Sequence, residues 1–329
     1  MKTVLISGYG VRLRYREGLL IAESKNGGVQ ETPLLDVDQL VVATGGVWLS
    51  SKLVRKLVEH GVDLIFLDSR GNPVGRVYPP FINRTVETRR AQYMAYGTYR
   101  GAHVMKELAY AKLMNQAGLL RRYYYYTHIE DLKTCVNRIV DLSLKARSLD
   151  CPFDEARERL RVIEAEAARY YWPCYATLLP RDLGFEGRDH DSGDPVNVSL
   201  NYAYGVLYGE CWKALVLGGL DPYAGFLHVD RSGKPVLVFD FVEMFRFSAD
   251  AALLGLFRRG WKPLISGGLL SYESRERIVE CLFKYMDETR CRYIDEAPVS
   301  LRQAVKKAAL ALASYLRGEG VFEGYVHGW

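Results

Sequence analysis

A histidine and two acidic residues lie close together in the segment GFLHVDRSGKPVLVFDFVEMFR, residues 225–246. His228 precedes a turn, and Asp240 and Glu243 interrupt the apolar run that follows. Such a run is expected to be buried, and a buried carboxylate is costly unless it is paired, protonated or bound to a metal. If the run is helical, Asp240 and Glu243 share one face, because they are three residues apart. The combination indicates a metal site.

Two interpretations of this segment stay open on its residues alone. One imidazole with two or more carboxylates suits Mg²⁺ or Mn²⁺ better than structural zinc, which prefers thiolates. Divalent ions held in this way polarise a phosphodiester, ready an oxygen nucleophile and stabilise the leaving oxygen. Alternatively the acids form a structural ion pair, with Arg246 three residues after Glu243 as partner, and His228 is an ordinary core or surface histidine.

A further acidic residue, Glu164, lies far upstream on a predicted helix over residues 154–172. The helix is predicted to end at Pro173, because proline removes a backbone donor. Glu164 falls at the edge of an inward apolar stripe that includes Leu160 and Ile163, and nearby alanines leave space for another element or a ligand. The alternative is an ordinary surface glutamate, since glutamate favours helices.

The elements that carry these residues belong to two differently patterned parts of the chain. Residues 1–75 show the alternating apolar patterns and glycine turns of strands, with one short helix after Ser50. Consecutive prolines at 79 and 80 disfavour helix and central strand and predict a linker at residues 76–90. Helical periodicity dominates residues 91–329, starting with one long stretch over residues 87–118. We therefore predict an α+β protein with a β-rich N-terminal domain followed by a larger all-α domain.

Composition predicts a cytoplasmic protein with no membrane segment. No apolar run among the 329 residues approaches the length that spans a bilayer. The apolar stretch at the start of the chain is too short for a signal peptide. The six cysteines form no CxxC pair, so we expect them to be reduced and a cysteine-based zinc site to be absent.

Positive charge is concentrated in one stretch of a chain whose net charge is +5. Only Glu87 and Glu107 oppose the basic residues of this stretch, which are Arg76, Arg84, Arg89, Arg90, Arg100, Lys106, Lys112, Arg121 and Arg122. A local surplus of this kind fits a phosphate-backbone partner, and it fits equally a solvated helix face.

An ordered set of motifs extends over essentially the whole chain. It comprises PLLDVDQLVV, GGVWLSSKLV, HGVDLIFLDSRGNPVGR, TRRAQY, EAEAARYYW, GRDHDSGDPVNVSLNYAYGVLYG and the segment around His228. Each fragment is weakly specific, but together they resemble the CRISPR-associated integrases of archaeal type, the metal-dependent nuclease subunits of the spacer-acquisition machinery.

The resemblance implies a catalytic set of four residues. Glu164, His228 and Glu243 would be the metal ligands, and Asp240 a supporting or alternate ligand. Some members of the family have aspartate where this chain has Glu243, and most have glycine where it has Ala165. Neither difference argues against activity.

The resemblance also implies an activity and partners. The 3′-hydroxyl of a short double-stranded fragment would attack a phosphodiester of a CRISPR repeat, and water in its place would make the site a nuclease. The partners would be a second copy of the chain and a small ferredoxin-like companion subunit. Because incoming fragments vary in sequence, DNA should be held by its phosphates and by stacking on splayed bases. The candidate contacts are Arg84, Arg89, Arg90, Tyr171, Arg188 and Arg246.

Two other functions remain possible from the sequence. The first is a structure-specific, metal-dependent nuclease that acts on branched DNA in repair and uses the same three ligands. The second is a DNA-binding scaffold without enzymatic activity, in which the acidic cluster is a salt-bridged core.

Overall fold

The N-terminal part of the chain is strand-rich in the computed structural model, which describes residues 2–77 and 85–329. Its elements, in chain order, are β1 (Lys2–Ile6), β2 (Val11–Arg16), β3 (Leu19–Glu23), β4 (Val29–Pro33), β5 (Val37–Val42), β6 (Val47–Leu49), α1 (Ser51–Glu59), β7 (Asp63–Leu67) and β8 (Pro73–Val77). The hydroxyl of Ser50 caps α1 by accepting from the backbone N–H of Leu53 at 3.2 Å, as its sequence predicts.

Two four-stranded sheets share the core of this part. One has the order β1-β5-β7-β8, in which only β8 is antiparallel to its neighbour. The other has the order β4-β3-β2-β6, in which β6 runs parallel to β2. Leucines from both sheets and from α1 meet in one cluster, including Leu13, Leu40, Leu53 and Leu64. Alternation in β2 buries its apolar residues and exposes its arginines.

The remainder of the chain is mostly helical, which confirms the predicted fold class. Its helices are α2 (Thr85–Ala95), α3 (Tyr99–Thr127), α4 (Glu130–Arg147), α5 (Phe153–Thr177), α6 (Pro195–Leu217), α7 (Val236–Val242), α8 (Arg246–Arg258), α9 (Tyr272–Glu288) and α10 (Leu301–Arg317). Two short pairs of antiparallel strands interrupt this helical part, and the sequence did not indicate them. Their strands are β9 (Ile265–Ser266), β10 (Leu269–Leu270), β11 (Arg290–Tyr293) and β12 (Asp295–Ser300).

The predicted linker overlaps both neighbouring elements. Residues 76–77 belong to β8 and residues 85–90 to α2, while the prolines at 79 and 80 lie outside the described residues. The single long helix expected over residues 87–118 is wrong, because Gly97 has a positive φ of 74° and Thr98 caps a new helix, α3.

The predicted end of α5 at Pro173 is also wrong, because the helix continues to Thr177. Proline removes one hydrogen bond, but the last turn is held by tertiary contacts on either side of it. The hydroxyls of Tyr171 and Tyr175 both reach Asp250 on α8, at 2.7 Å to its side chain and 3.0 Å to its carbonyl oxygen. Packing therefore overrides the local preference.

Two cysteines are joined, contrary to the expectation that all six are reduced. A disulfide links Cys135 on α4 to Cys174 on α5. The four others, Cys151, Cys211, Cys281 and Cys291, are free. Cysteine spacing along the chain carries no information about a contact between two helices.

The two parts of the chain meet mainly at α6. The Gln39 side chain of β5 donates to Asp63 at 2.8 Å and also to the buried Glu210 of α6. Gly205 permits the closest approach, since a Cβ there would lie 2.5 Å from the carbonyl oxygen of Gly71. Among the helices in the described ranges, we find none with the length and apolar character needed to cross a membrane.

Candidate metal centre

The four residues of the predicted catalytic set come together from three places in the chain. Glu164 projects from the middle of α5, His228 lies in the loop before α7, and Asp240 lies within α7. Glu243 follows directly after α7, in the turn to α8. Glu243 is 2% exposed, so this carboxylate lies in the core as the apolar run around it predicts.

Asp240 fixes both the loop and the ring of His228. Its Oδ2 accepts the backbone N–H of Phe226 at 2.6 Å and of Leu227 at 2.9 Å, and its Oδ1 accepts the backbone N–H of His228 at 2.9 Å. The same Oδ1 lies 2.6 Å from Nδ1 of the His228 ring. A proton on Nδ1 then leaves the lone pair on Nε2, which is the arrangement found when a carboxylate supports a metal-binding histidine.

The loop depends on a glycine. A Cβ at Gly225 would lie 2.5 Å from a side-chain carbon of Val236 and 2.8 Å from Oδ2 of Asp240. Any larger residue would therefore push the loop away from the carboxylate that orients His228.

Opposing effects act on the pKa of His228. Burial lowers it, but the hydrogen bond to Asp240 and the negative charges of Asp240, Glu243 and Glu164 raise it above the ordinary value. The imidazole therefore lies in a field of negative charge that also attracts cations.

Glu243 is flanked by two cations. Its Oε1 is 3.2 Å from Nη2 of Arg246, and its Oε2 is 2.9 Å from Nζ of Lys112. Burial would raise the pKa of this carboxyl, but Arg246, Lys112 and His228 lower it to about 2. Oε2 accepts no hydrogen bond of good geometry, so its approach to Lys112 is a contact between charges.

Lys112 on α3 is the residue of this site that the sequence reasoning missed. Its Nζ lies 2.9 Å from Oε1 of Glu164 and 2.9 Å from Oε2 of Glu243, so one ammonium bridges two of the predicted ligands. Burial opposes the charge of Lys112, but the two carboxylates raise its pKa above the ordinary value. Only its place in the basic stretch of the sequence marked it.

As they lie, the side chains do not yet form a metal cage. Within residues 2–77 and 85–329, no three His, Cys, Asp or Glu side chains converge closely enough to bind one ion. The ammonium of Lys112 stands between the carboxylates at the place a cation would take. Two carboxylates and an imidazole nitrogen are donors that Mn²⁺ and Mg²⁺ accept, so the residue types fit such an ion.

Arg246 adopts the structural pairing that the sequence left open. Besides Glu243, its Nη2 donates to the hydroxyl of Tyr208 at 2.9 Å. Its guanidinium also lies 5.0 Å from the ring centre of Tyr204. Arg246 is thus held at the edge of the site by one carboxylate and two aromatic rings.

A further buried carboxylate, Asp250 on α8, was not singled out from the sequence. It accepts the hydroxyl of Tyr171 at 2.7 Å and the hydroxyl of Tyr204 at 2.5 Å. Burial raises the pKa of Asp250 to about 6, although both hydrogen bonds act to lower it. Tyr171 is fully buried, so its predicted role in stacking on DNA bases is wrong in this structure, because its ring and hydroxyl are used in the core.

The other candidate DNA contacts differ in their exposure and in how firmly they are held. Arg90 is exposed on α2 and Arg89 is half-buried beside it, whereas Arg84 lies outside the described residues. Arg188 is held by the side-chain oxygens of Asn197 at 2.8 Å and Asn201 at 2.5 Å.

A cleft of about 730 Å³ opens beside Arg246. It lies between the β7–β8 turn, the loop before α6 and the β9–β10 turn. Its lining includes Arg70, Arg188, His190, Tyr204, Tyr208 and Arg246. The cleft is therefore basic and aromatic, and it borders the carboxylate cluster through Arg246.

Comparisons with known proteins agree with this architecture. The family model of the CRISPR associated protein Cas1 matches residues 4–282. The chain is 40% identical over 282 residues to the CRISPR-associated endonuclease Cas1 1 of Pyrobaculum aerophilum, covering 84% of this chain and 88% of that protein.

Two solved structures share the fold. A casposase bound to its integration product aligns with a TM-score of 0.83 and 22% identity over 99% of this chain and 94% of its own. A Cas6-RT-Cas1–Cas2 complex aligns with a TM-score of 0.75 and 18% identity over 98% of this chain and 36% of its own.

Proposed function

Because this chain belongs to the Cas1 family, we propose that it is the metal-dependent endonuclease and integrase that inserts short DNA fragments into a CRISPR repeat array. The observation that carries the proposal is the convergence of Glu164 and Glu243 on one cation, the ammonium of Lys112. Beside them lies His228, whose Nδ1 is held by Asp240. A pair of acids and an oriented imidazole are donors that can hold a divalent ion for phosphodiester cleavage.

Glu164, His228 and Glu243 are proposed to hold a Mg²⁺ or Mn²⁺ ion. When bound, the ion supplies a Lewis acid that activates the attacking 3′-hydroxyl or water and offsets charge on the phosphate. Asp240 keeps the proton on Nδ1 of His228, so that the lone pair of Nε2 would be available to the ion. Although Glu243 is buried, the neighbouring cations lower its pKa to about 2, which keeps this ligand ionised at neutral pH.

Cationic side chains around the site are proposed to hold the DNA. Arg188 and Arg246 line the cleft beside the ligands, and both guanidiniums lie against the ring of Tyr204, at 5.6 and 5.0 Å from its centre. Their positions are fixed before DNA arrives, so phosphate oxygens can be bound with little further ordering. Exposed Arg90 and half-buried Arg89 on α2 extend this basic surface.

The full reaction is proposed to need other subunits. We propose a homodimer formed through the N-terminal β-rich domain, residues 1–75. A small ferredoxin-like companion would bridge two such dimers on a short duplex. The structural relative found in a complex with Cas2 supports a companion of this kind. We propose that the assembly works in the cytoplasm, where the CRISPR array lies.

A joining assay tests the proposed function. The protein is given a labelled short duplex, a plasmid with a CRISPR repeat, the companion subunit and Mn²⁺. Wild type should give labelled plasmid, and Glu164→Gln should reduce joining by at least about a hundredfold, because one ligand loses its charge. Glu166→Gln is the matched control, since Glu166 is exposed on the same helix two residues away.

The outcomes separate the alternatives. Metal-dependent cutting of branched DNA without any joined product would favour a repair nuclease. Joining by Glu164→Gln at the wild-type rate would contradict the proposed role of this residue.

A further inference from the structure

Lys112 is half-buried, and its charge is neutralised on two sides. Its ammonium contacts Glu164 and Glu243 at 2.9 Å each, and 19% of its side chain is exposed. With Arg246 on the other oxygen of Glu243, two cations face two acids, and this group of four is neutral overall. A divalent ion that joined this group would be repelled by both cations, so displacement of one of them would favour its binding.

Tertiary hydrogen bonds fix α3 on both sides of Lys112, at Glu107 and at Asn115. Glu107 on α3 accepts from Arg147 at 2.7 Å and from the backbone N–H of Gly324 at 3.0 Å. Asn115 donates to the carbonyl oxygens of Met244 and Tyr325 at 2.8 Å each. The backbone of Lys112 therefore stays in place, and only its long side chain can move.

Arg246 is less able to leave than Lys112. It is packed against Tyr204 and bonded to Tyr208, whereas Lys112 makes polar contacts only to the two glutamates among the residues the structure describes. A flexible four-carbon stem with a single charged end can swing away at lower cost than a planar group held on three sides.

We propose that Lys112 is a resident counter-ion, which holds Glu164 and Glu243 together before a divalent ion arrives and competes with that ion for them. The inference rests on the proposed metal site. It makes Lys112 a positioning residue rather than a ligand. Lys112 stabilises the metal-free protein and lowers the affinity of the protein for the divalent ion.

Lys112→Met tests this role, because methionine keeps much of the volume and removes the charge. In EDTA the variant should melt at a lower temperature than wild type, since Glu164 loses its cationic partner and the buried Glu243 loses one of its two. Added Mn²⁺ should raise its melting temperature more than that of wild type. Calorimetric titration should give a Mn²⁺ Kd tightened by at least about tenfold, because a competing cation has been removed.

Lys106→Met is the matched control. Lys106 lies on the same helix and donates to the carbonyl oxygen of Leu149 at 2.8 Å, away from the acids. Its replacement should leave the affinity for Mn²⁺ unchanged. If Lys112→Met does not fold, Lys112→Gln removes the same charge and carries the same prediction.

Two results would overturn the inference in distinguishable ways. An equal drop in melting temperature with and without Mn²⁺, at unchanged Kd, would give Lys112 a purely structural role and leave the metal site standing. No binding of Mn²⁺ to wild type or variants would contradict the metal site itself, and with it the competition.

Discussion

At the scale of single residues, some residues of the site can be recognised from the local sequence and others cannot. His228, Asp240 and Glu243 lie within sixteen residues and stand out because acids interrupt an apolar run. Glu164 needed the family resemblance to be chosen over its neighbours. Lys112 stayed hidden because its contacts span 52 residues to Glu164, and no periodicity shows which part of α3 will face α5.

Asp240 provides the clearest prediction at this scale. It accepts four hydrogen bonds from the loop that carries His228, and asparagine can accept at only one side-chain oxygen. Asp240→Asn should therefore cost about 2–3 kcal/mol in the free energy of unfolding. Joining should fall about 10- to 100-fold, because the ring of His228 loses its support.

Urea unfolding and the joining assay measure both effects. Asp230→Asn, at an exposed position of the same loop, is the control and should change neither. Unaltered joining by Asp240→Asn would mean that the orientation of His228 does not matter.

At the scale of elements, local pattern predicted the helices well where packing agreed with it and failed where packing prevailed. The cap at Ser50 was read directly from the sequence. The continuation of α5 beyond Pro173 was not, since Tyr175 and Tyr171 hold the last turn through Asp250. The disulfide from Cys135 to Cys174 ties α4 to this same helix, which also carries Glu164.

The C-terminal segment after α10 is an element without regular structure that packs into the helical domain. His327 is 7% exposed, and its backbone N–H donates to Asn115 on α3 at 2.7 Å. Its ring lies between those of Phe247 and Trp329, and Nδ1 is 2.8 Å from the hydroxyl of Tyr325. Because Asn115 also binds the carbonyl oxygen of Met244, this segment supports the turn beside Glu243.

Acid should loosen this segment. Burial, and to a lesser degree the charge of Arg122, lowers the pKa of His327 to about 4 from an ordinary value of 6.5. Between these values the unfolded chain binds a proton that the folded protein does not, so stability is lost as the pH falls from about 6.5 to 4. This histidine should account for up to about 3 kcal/mol of that loss.

His327→Gln removes the group and should reduce the pH dependence of the unfolding free energy over this range. Denaturant unfolding at pH 7 and pH 4.5 measures it, with exposed His60→Gln as the control. The same loss of stability in His327→Gln as in wild type would show that the burial of this ring is not linked to the pH response.

At the scale of the whole molecule, the sequence predicted the order of a strand-rich part and a helical part, and the fold confirms it. The contact between the two parts could not be predicted from the sequence, because Gly205 and Glu210 on α6 have the pattern of ordinary helical residues. Only the structure places Gly71 and Gln39 against them. The basic cleft next to Arg246 likewise arises from segments that are distant in sequence. The central claim is that three segments of the helical part, carrying Glu164, His228 and Glu243, together build one metal site for phosphodiester chemistry.

A crystal structure of the protein in Mn²⁺, with anomalous diffraction data, tests that claim most directly. We expect an anomalous peak between the carboxylates of Glu164 and Glu243 and Nε2 of His228, with the ammonium of Lys112 moved away from both acids. A map without such a peak, in which Lys112 still bridges the two glutamates at saturating Mn²⁺, would contradict it.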